Sequence, residues 1–308
     1  MLPTTLPCGA RTFLGEPEGS TRPPGQLIRA HSLPRLGTPA APPTVQDVLI
    51  LLPPSEGKTA PVRGAALDLS ALSAAGLTGT REAVLDALVA ASARPDALEV
   101  LGVGAGVADE VARNTGLRAA PTAPAGHVYT GVLYAAAGLD RLTPAARRRA
   151  AAAVRVVSGL WGLVGPEDPI PAYRLSMGVD LPGVGPLAAA WREPLRAELD
   201  PRALAGDLVV DCRSATYLAA WRPPRAALAS WVQVRVLREV AGRRSVVSHH
   251  AKHTRGVLTR HLVTRRGREP RTPGELAAAA RELVGSELLA VELETPAGRG
   301  ATLSLVVA

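Results

Sequence analysis

From Val48 onward, short apolar runs alternate with amphipathic stretches, and the alternation predicts strands interleaved with helices. Val48–Leu52 (VLILL) is an unbroken apolar run of strand length. Glu82–Ala93 and Ala97–Asn114 carry helical spacing. Thr143 ahead of Pro144 supplies an N-cap and a proline at the first helical position, opening a helix to about Ala153. Val154–Val157, Leu208–Asp211, Trp231–Leu237 and Ser245–Ser248 read as strands rich in β-branched residues. A helix is expected from Ala251 to Arg265, and capping-box spacing at Thr272–Glu275 opens another through Leu283. Leu288–Glu294 and Ala301–Val307 flank TPAGRG and predict a terminal hairpin.

No internal repeat is visible. The pattern implies an α/β fold, a mixed sheet with surrounding helices, in a single domain over residues 47–308. Residues 1–46 differ. They hold nine of the 28 prolines and five glycines without apolar periodicity, which reads as a disordered extension.

Charge sharpens this picture. The 308-residue chain is 47% hydrophobic with a formal net charge of +8, so it should be drawn to polyanions. Between Arg235 and Arg271 stand 11 basic residues and two acids, a local net of +9 that exceeds the total. Of the 35 basic residues only Lys58 and Lys252 are lysines. Where arginine has replaced lysine nearly everywhere, the two that remain are candidates for sites that need an ammonium; the bland alternative is chance retention at a neutral surface. Cys8 and Cys212 stand far apart, with no disulfide framework and no CxxC pair, so a reducing cytoplasm is the expected compartment. No apolar run reaches the ~18 residues of a membrane span.

LLPPSEGKT (Leu51–Thr59) ends like a phosphate-binding loop, but the glycine required five positions before Gly57 is Leu52. Two prolines also remove N–H groups from the turn. The segment is not an ATP loop, yet it leaves Lys58 just past a strand end. Leu101–Gly106 (LGVGAG) lacks dinucleotide spacing and reads as glycine in or before a packed helix. Leu181–Pro186 (LPGVGP) is similar to the hairpin of helix-hairpin-helix motifs: Gly183, Val184 and Gly185 would bring backbone N–H groups to a phosphate ahead of a helix. An ordinary tight turn would look the same.

His249, His250 and His253 lack a carboxylate or thiolate to complete a ligand set, so no metal and no cofactor is expected. On the same helix Lys252, Arg255 and Thr259 share one face, as phosphate contact requires and as a solvated face would also show. Cys212 reads as a core thiol, and the four tryptophans as packing.

Several stretches together resemble the YaaA family of bacterial peroxide-stress proteins. They are LILLPPSEGKT; His127–Gly131 (HVYTG); Ser158–Gly162 (SGLWG), continuing through Asp168 to Tyr173–Gly178 (YRLSMG); VVDCRSATYL; and Ala251–Gly256 (AKHTRG). The resemblance implies a fold of the family's own, with a helix-hairpin-helix element and a positively charged cleft. It also implies DNA binding and protection from hydrogen peroxide, including restraint of free iron. Both lysines fall inside family motifs. The chain departs from the family at Gly165, where an arginine is frequent, at Ser176, where a glutamate is common, and at His250 and His253, which replace a tyrosine and a lysine. In such a bacterial chain Val45 or Val48 is a candidate first residue.

The resulting expectation is a cytoplasmic protein of the oxidative-stress response, taken as a monomer, whose partner is duplex DNA held by its backbone. Lys58, Arg174, Gly183, Val184, Gly185, Lys252 and Arg255 would make the contacts. The rival is an enzyme acting on a nucleotide or damaged base, with Lys58 or Lys252 as nucleophile or base and Asp211, Ser214 and Tyr173 nearby. Docking of RNA or an acidic protein is a third possibility.

Overall fold

The computed structural model describes residues 47–246 and 249–308. The proline-rich extension, with the alternative start at Val45, lies outside the described residues. Eight strands form the main sheet: β1 (Val48–Leu52), β2 (Val154–Ser158), β3 (Gly162–Val164), β4 (Leu208–Asp211), β5 (Trp231–Val240), β6 (Arg243–Val246), β7 (Ala290–Glu294) and β8 (Ala301–Val307). Their order is β7–β8–β5–β4–β1–β2–β3, with β6 paired to β5. The middle strands β8–β5–β4–β1–β2 run parallel. Antiparallel β3, β6 and β7 complete the sheet.

All five residues of β1 are buried, as an apolar run covered on both faces should be. It pairs with β2 on one side, Ile50 opposite Val154, and with β4 on the other, Val48 opposite Leu208. The chain therefore leaves β1 toward one edge and later returns to build β4 and β5 on the opposite side. This creates a switch point at the carboxyl ends of β1 and β4, where open α/β sheets bind ligands.

The longer helices are α1 (Thr78–Ser92), α2 (Val132–Ala137), α3 (Pro144–Ala153), α4 (Arg192–Leu204), α5 (His249–Thr264) and α6 (Pro273–Arg281). The two expected N-caps form. Thr143 Oγ1 accepts from the Ala146 N–H at 3.4 Å, and Thr272 Oγ1 from the Glu275 N–H at 3.1 Å. Helix α5 crosses α2 closely because residue 256 is glycine: a Cβ there would stand 2.2 Å from the Leu133 carbonyl oxygen. All four tryptophans are buried in the core. Among the described residues no helix is long and apolar enough to cross a membrane.

Three expectations need correction. The segment Ala97–Asn114 is not one helix but pieces at Ala97–Val100, Ala105–Val107 and Ala108–Arg113, because Gly102 closes the first with φ of +63°. Strand β5 extends to Val240 and turns through Ala241–Gly242, both with positive φ, so its partner β6 begins earlier than expected. A helix-hairpin-helix element is not formed: there is a turn with a short helix after it and no helix before it. The turn forms between Asp180–Leu181 and Gly185–Pro186, with Gly183 and Gly185 both at φ of +87°, and helix Leu187–Ala190 follows. Residues 171–179, however, are not helical. The segment crosses beneath the site as irregular chain, fixed by Asn114, which accepts the Arg174 N–H and donates to its carbonyl, both at 2.9 Å.

Candidate functional site

Beyond β1, the SEGKT and HVYTG segments interlock. The Thr59 N–H donates to the Val128 carbonyl at 2.9 Å, the Thr130 N–H to the Gly57 carbonyl at 3.2 Å, and the Tyr134 hydroxyl to the Pro53 carbonyl at 2.8 Å. The Ser55 hydroxyl donates to the Thr130 carbonyl. This clamp directs the half-buried Lys58 side chain inward. Its Nζ donates to the carbonyls of Ser55 (2.7 Å) and Glu56 (3.3 Å) and lies 4.3 Å from the centroid of the Tyr173 ring.

Beneath the amine runs a buried hydroxyl chain. Tyr129 and Tyr173 hydroxyls stand 3.0 Å apart, and Ser158 Oγ is 2.6 Å from the Tyr173 hydroxyl. Ser158 Oγ already accepts the N–H groups of Leu160 (3.1 Å) and Trp161 (3.0 Å). Its own proton is therefore left for Tyr173. Burial pushes both phenols upward in pKa and keeps them protonated.

Burial, and then the positive charge of Arg174, lower the Lys58 pKa to about 7, against the opposing pull of Glu110 and Glu56. Lys58 is thus partly neutral at neutral pH. Arg174 itself is paired with Glu110 at 3.3 Å and Glu56 at 3.5 Å.

Helix α5 brings Lys252 and Arg255 to the same place. One Arg255 terminal nitrogen donates to the Val234 carbonyl at 2.9 Å, while its buried Nε meets no acceptor among the described residues. Lys58, Arg174, Lys252 and Arg255 all line one cavity of about 560 Å³, together with Ser176 and Ser214. That is the size of a nucleotide-scale ligand site. The loop Leu101–Val107 forms part of its wall.

The structure thus gathers four of the seven expected contact residues. Gly183, Val184 and Gly185 are absent from the cavity lining; they sit on a hairpin packed against α1. Asp211 is also not available. Its carboxylate takes a two-point bond from Arg213 at 2.9 and 2.7 Å, plus the Trp231 indole N–H at 3.1 Å. Ser214, three residues on, does line the cavity, and Tyr173 lies under the lysine as floor.

The buried Cys212 thiol is pushed up to about 12 by desolvation, which makes it an inert core group. His250 and His253 line a separate, smaller cavity beside Glu287. Among the described residues no three His, Cys, Asp or Glu side chains gather in a metal-holding group.

The basic run Arg235–Arg271 is largely dispersed. Arg235 pairs with Glu294, Arg244 with Glu239 and Glu292, and Arg265 with Glu282. Only Lys252 and Arg255 of that run reach the cavity lining. Tyr129 and Glu110 were not singled out from sequence, and Leu101–Gly106 was set aside as packing glycine although it walls the cavity. Tyr129 could have been, because it lies within HVYTG; the wall contributes shape without distinctive chemistry.

An open α/β sheet with a lysine-floored, ligand-sized cavity at its switch point defines the class of protein. The sequence model of the family described as peroxide stress protein YaaA matches residues 48–281, and the chain belongs to that family. It is similar to a UPF0246 protein of Streptomyces coelicolor, 51% identical over 262 residues, covering 84% of this chain and 98% of the relative. A UPF0246 protein of Corynebacterium efficiens is 43% identical over 265 residues, covering 84% and 100% respectively. One from Corynebacterium glutamicum is 39% identical over 220 residues, covering 70% and 84%.

Proposed function

We propose that the chain is a cytoplasmic peroxide-stress protein that binds duplex DNA largely through backbone phosphates and limits peroxide- and iron-linked damage to it. The stress role follows the description of the family; the DNA contact is argued from the site. The observation that carries it is the convergence of Lys58, Arg174, Lys252 and Arg255, from distant segments, on one cavity. Arg255, fastened through one terminal nitrogen to the Val234 carbonyl, keeps its guanidinium charge at the cavity lining, where a phosphate would meet it. Lys252 is exposed on the rim, where a sugar-phosphate backbone would pass. The turn at Gly183–Gly185, exposed at Gly183 and left-handed at both glycines, would offer a second, separate phosphate contact.

Binding of this kind releases counterions and weakens as salt rises. Affinity for a mixed-sequence duplex, measured by fluorescence anisotropy across a salt series, should fall several-fold or more. In a plot of log affinity against log salt, Lys252→Ala should reduce the slope by about 1. A salt-independent affinity, or none at low salt, would overturn the proposal.

A further inference from the structure

We propose that Lys58 is a covalent site whose amine condenses with the carbonyl carbon of a phosphate-bearing aldehyde held in the cavity, forming a Schiff base. The inference deepens the function proposed above and rests on it for the macromolecular source of that aldehyde. Three features of the geometry point to it.

The first is the orientation of the amine. A neutral amine has two N–H donors and one lone pair. Hydrogen bonds to the Ser55 and Glu56 carbonyls use both donors, leaving the lone pair for the cavity that Lys58 lines. The second is the lack of an ion-pair partner. Among the described residues no carboxylate forms a salt bridge with Lys58; Glu56 and Glu110 bond to Arg174 instead. The amine is therefore not committed to a structural charge pair. Desolvation and Arg174 also bring its pKa to about 7, so a reactive fraction exists at neutral pH. The third is the anion end. Arg255 and Lys252 line the same cavity, and among the described residues no carboxylate forms a salt bridge with either. A ligand with a carbonyl at one end and a phosphate a few bonds away matches this polarity.

The chemistry balances without an added oxidant or reductant. The nitrogen lone pair adds to the carbonyl carbon, and the C=O π pair moves to oxygen, which takes up a proton. The nitrogen gives up one proton to leave a neutral carbinolamine. Its hydroxyl then takes up a second proton, the nitrogen lone pair forms C=N as the C–O bond breaks and water leaves, and the nitrogen releases its remaining proton. Amine plus aldehyde give imine plus water. Two sources offer such a group: the ring-opened deoxyribose at an abasic site in DNA, and a free aldehyde phosphate such as glyceraldehyde 3-phosphate.

The test is reductive trapping with borohydride on the full chain, followed by peptide mapping of the adduct. Its arms are a duplex with one abasic site, glyceraldehyde 3-phosphate and glyceraldehyde. Binding of intact duplex is measured in parallel. The expected adduct maps to Lys58, forms at least roughly tenfold faster with the phosphorylated aldehyde than with glyceraldehyde, and is lost in Lys58→Arg. Mapping on the unaltered chain keeps the result independent of the folding of the variant. An adduct from the abasic duplex alone assigns the source to DNA; one from the small phosphate alone assigns it to free ligand. No adduct, or one confined to Lys252 or the amino terminus, overturns the inference. If intact duplex still binds in that case, the DNA reading stands by itself. Trapping of the small phosphate without duplex binding removes the DNA reading and keeps the covalent site.

Discussion

Burial and the neighbouring Arg174 guanidinium carry the Lys58 ammonium from an ordinary 10.5 to about 7, and two measurable consequences follow. Acetylation of Lys58, resolved by peptide mapping, should reach half its maximal rate near pH 7. Arg174→Gln should move that midpoint up, because it removes a repelling charge; Glu110→Gln should move it down. A midpoint unmoved by either change would remove these charges as causes. The second consequence is for stability. Between about 7 and 10.5 the unfolded chain keeps the Lys58 proton while the folded chain has lost it. Stability from this group therefore rises with pH across that window, and its full cost is felt below it. Lys58→Met should flatten that rise in urea midpoints measured across the window; an unchanged profile would contradict it. Composition marked Lys58 and Lys252 because arginine stands at nearly every other basic position. Asp211 misled, because a carboxylate at a strand end is equally suited to fastening an arginine, and sequence does not show the two-point bond from Arg213.

Helix α5 shows how an element delivers two cations to a site. Lys252 and Arg255 lie one turn apart on it, and Gly256 next to them lets the helix approach α2. An alanine Cβ at 256 would stand 2.2 Å from the Leu133 carbonyl oxygen and 2.8 Å from Ala136 Cβ. On an exposed helix Gly→Ala would stabilise by roughly 0.5–1 kcal/mol. Here overpacking reverses the sign, and Gly256→Ala should cost about 1–3 kcal/mol in urea unfolding. It should also weaken the proposed DNA binding, by displacing both cations. A stabilised variant would mean that the helices separate freely. The elements most legible in sequence were those with local signals: the apolar run of β1, the caps at Thr143 and Thr272, and the C-terminal hairpin. The stretch Ala97–Asn114 was misread because its spacing looked helical while the decisive event was local, a left-handed Gly102. The hairpin at Leu181–Pro186 was legible as a turn, and Gly178 already spoke against a helix ahead of it, where the chain is irregular.

At the scale of the molecule, the parallel strands place the carboxyl ends of β1 and β4 side by side, so a segment near residue 55 and another near residue 214 share a cavity with helix α5. Alternating strand and helix patterns announced the α/β class. They did not give strand order, which depends on long-range pairing, and so they could not say which loops would meet. Of the basic run Arg235–Arg271, Arg235, Arg244 and Arg265 are engaged by glutamates of β5, β7 and the segment after α6, and only Lys252 and Arg255 line the cavity, so charge counted along the chain overstates charge facing the cavity.

With only two lysines in the chain, covalent footprinting tests the central claim directly. Acetylation of Lys58 and Lys252 is followed by peptide mass spectrometry, with and without a saturating mixed-sequence duplex at low salt. If both line one DNA-holding cavity, both lose reactivity together, several-fold, and regain it as salt releases the duplex. If bound duplex leaves the two lysines as reactive as before, the cavity is not where DNA binds.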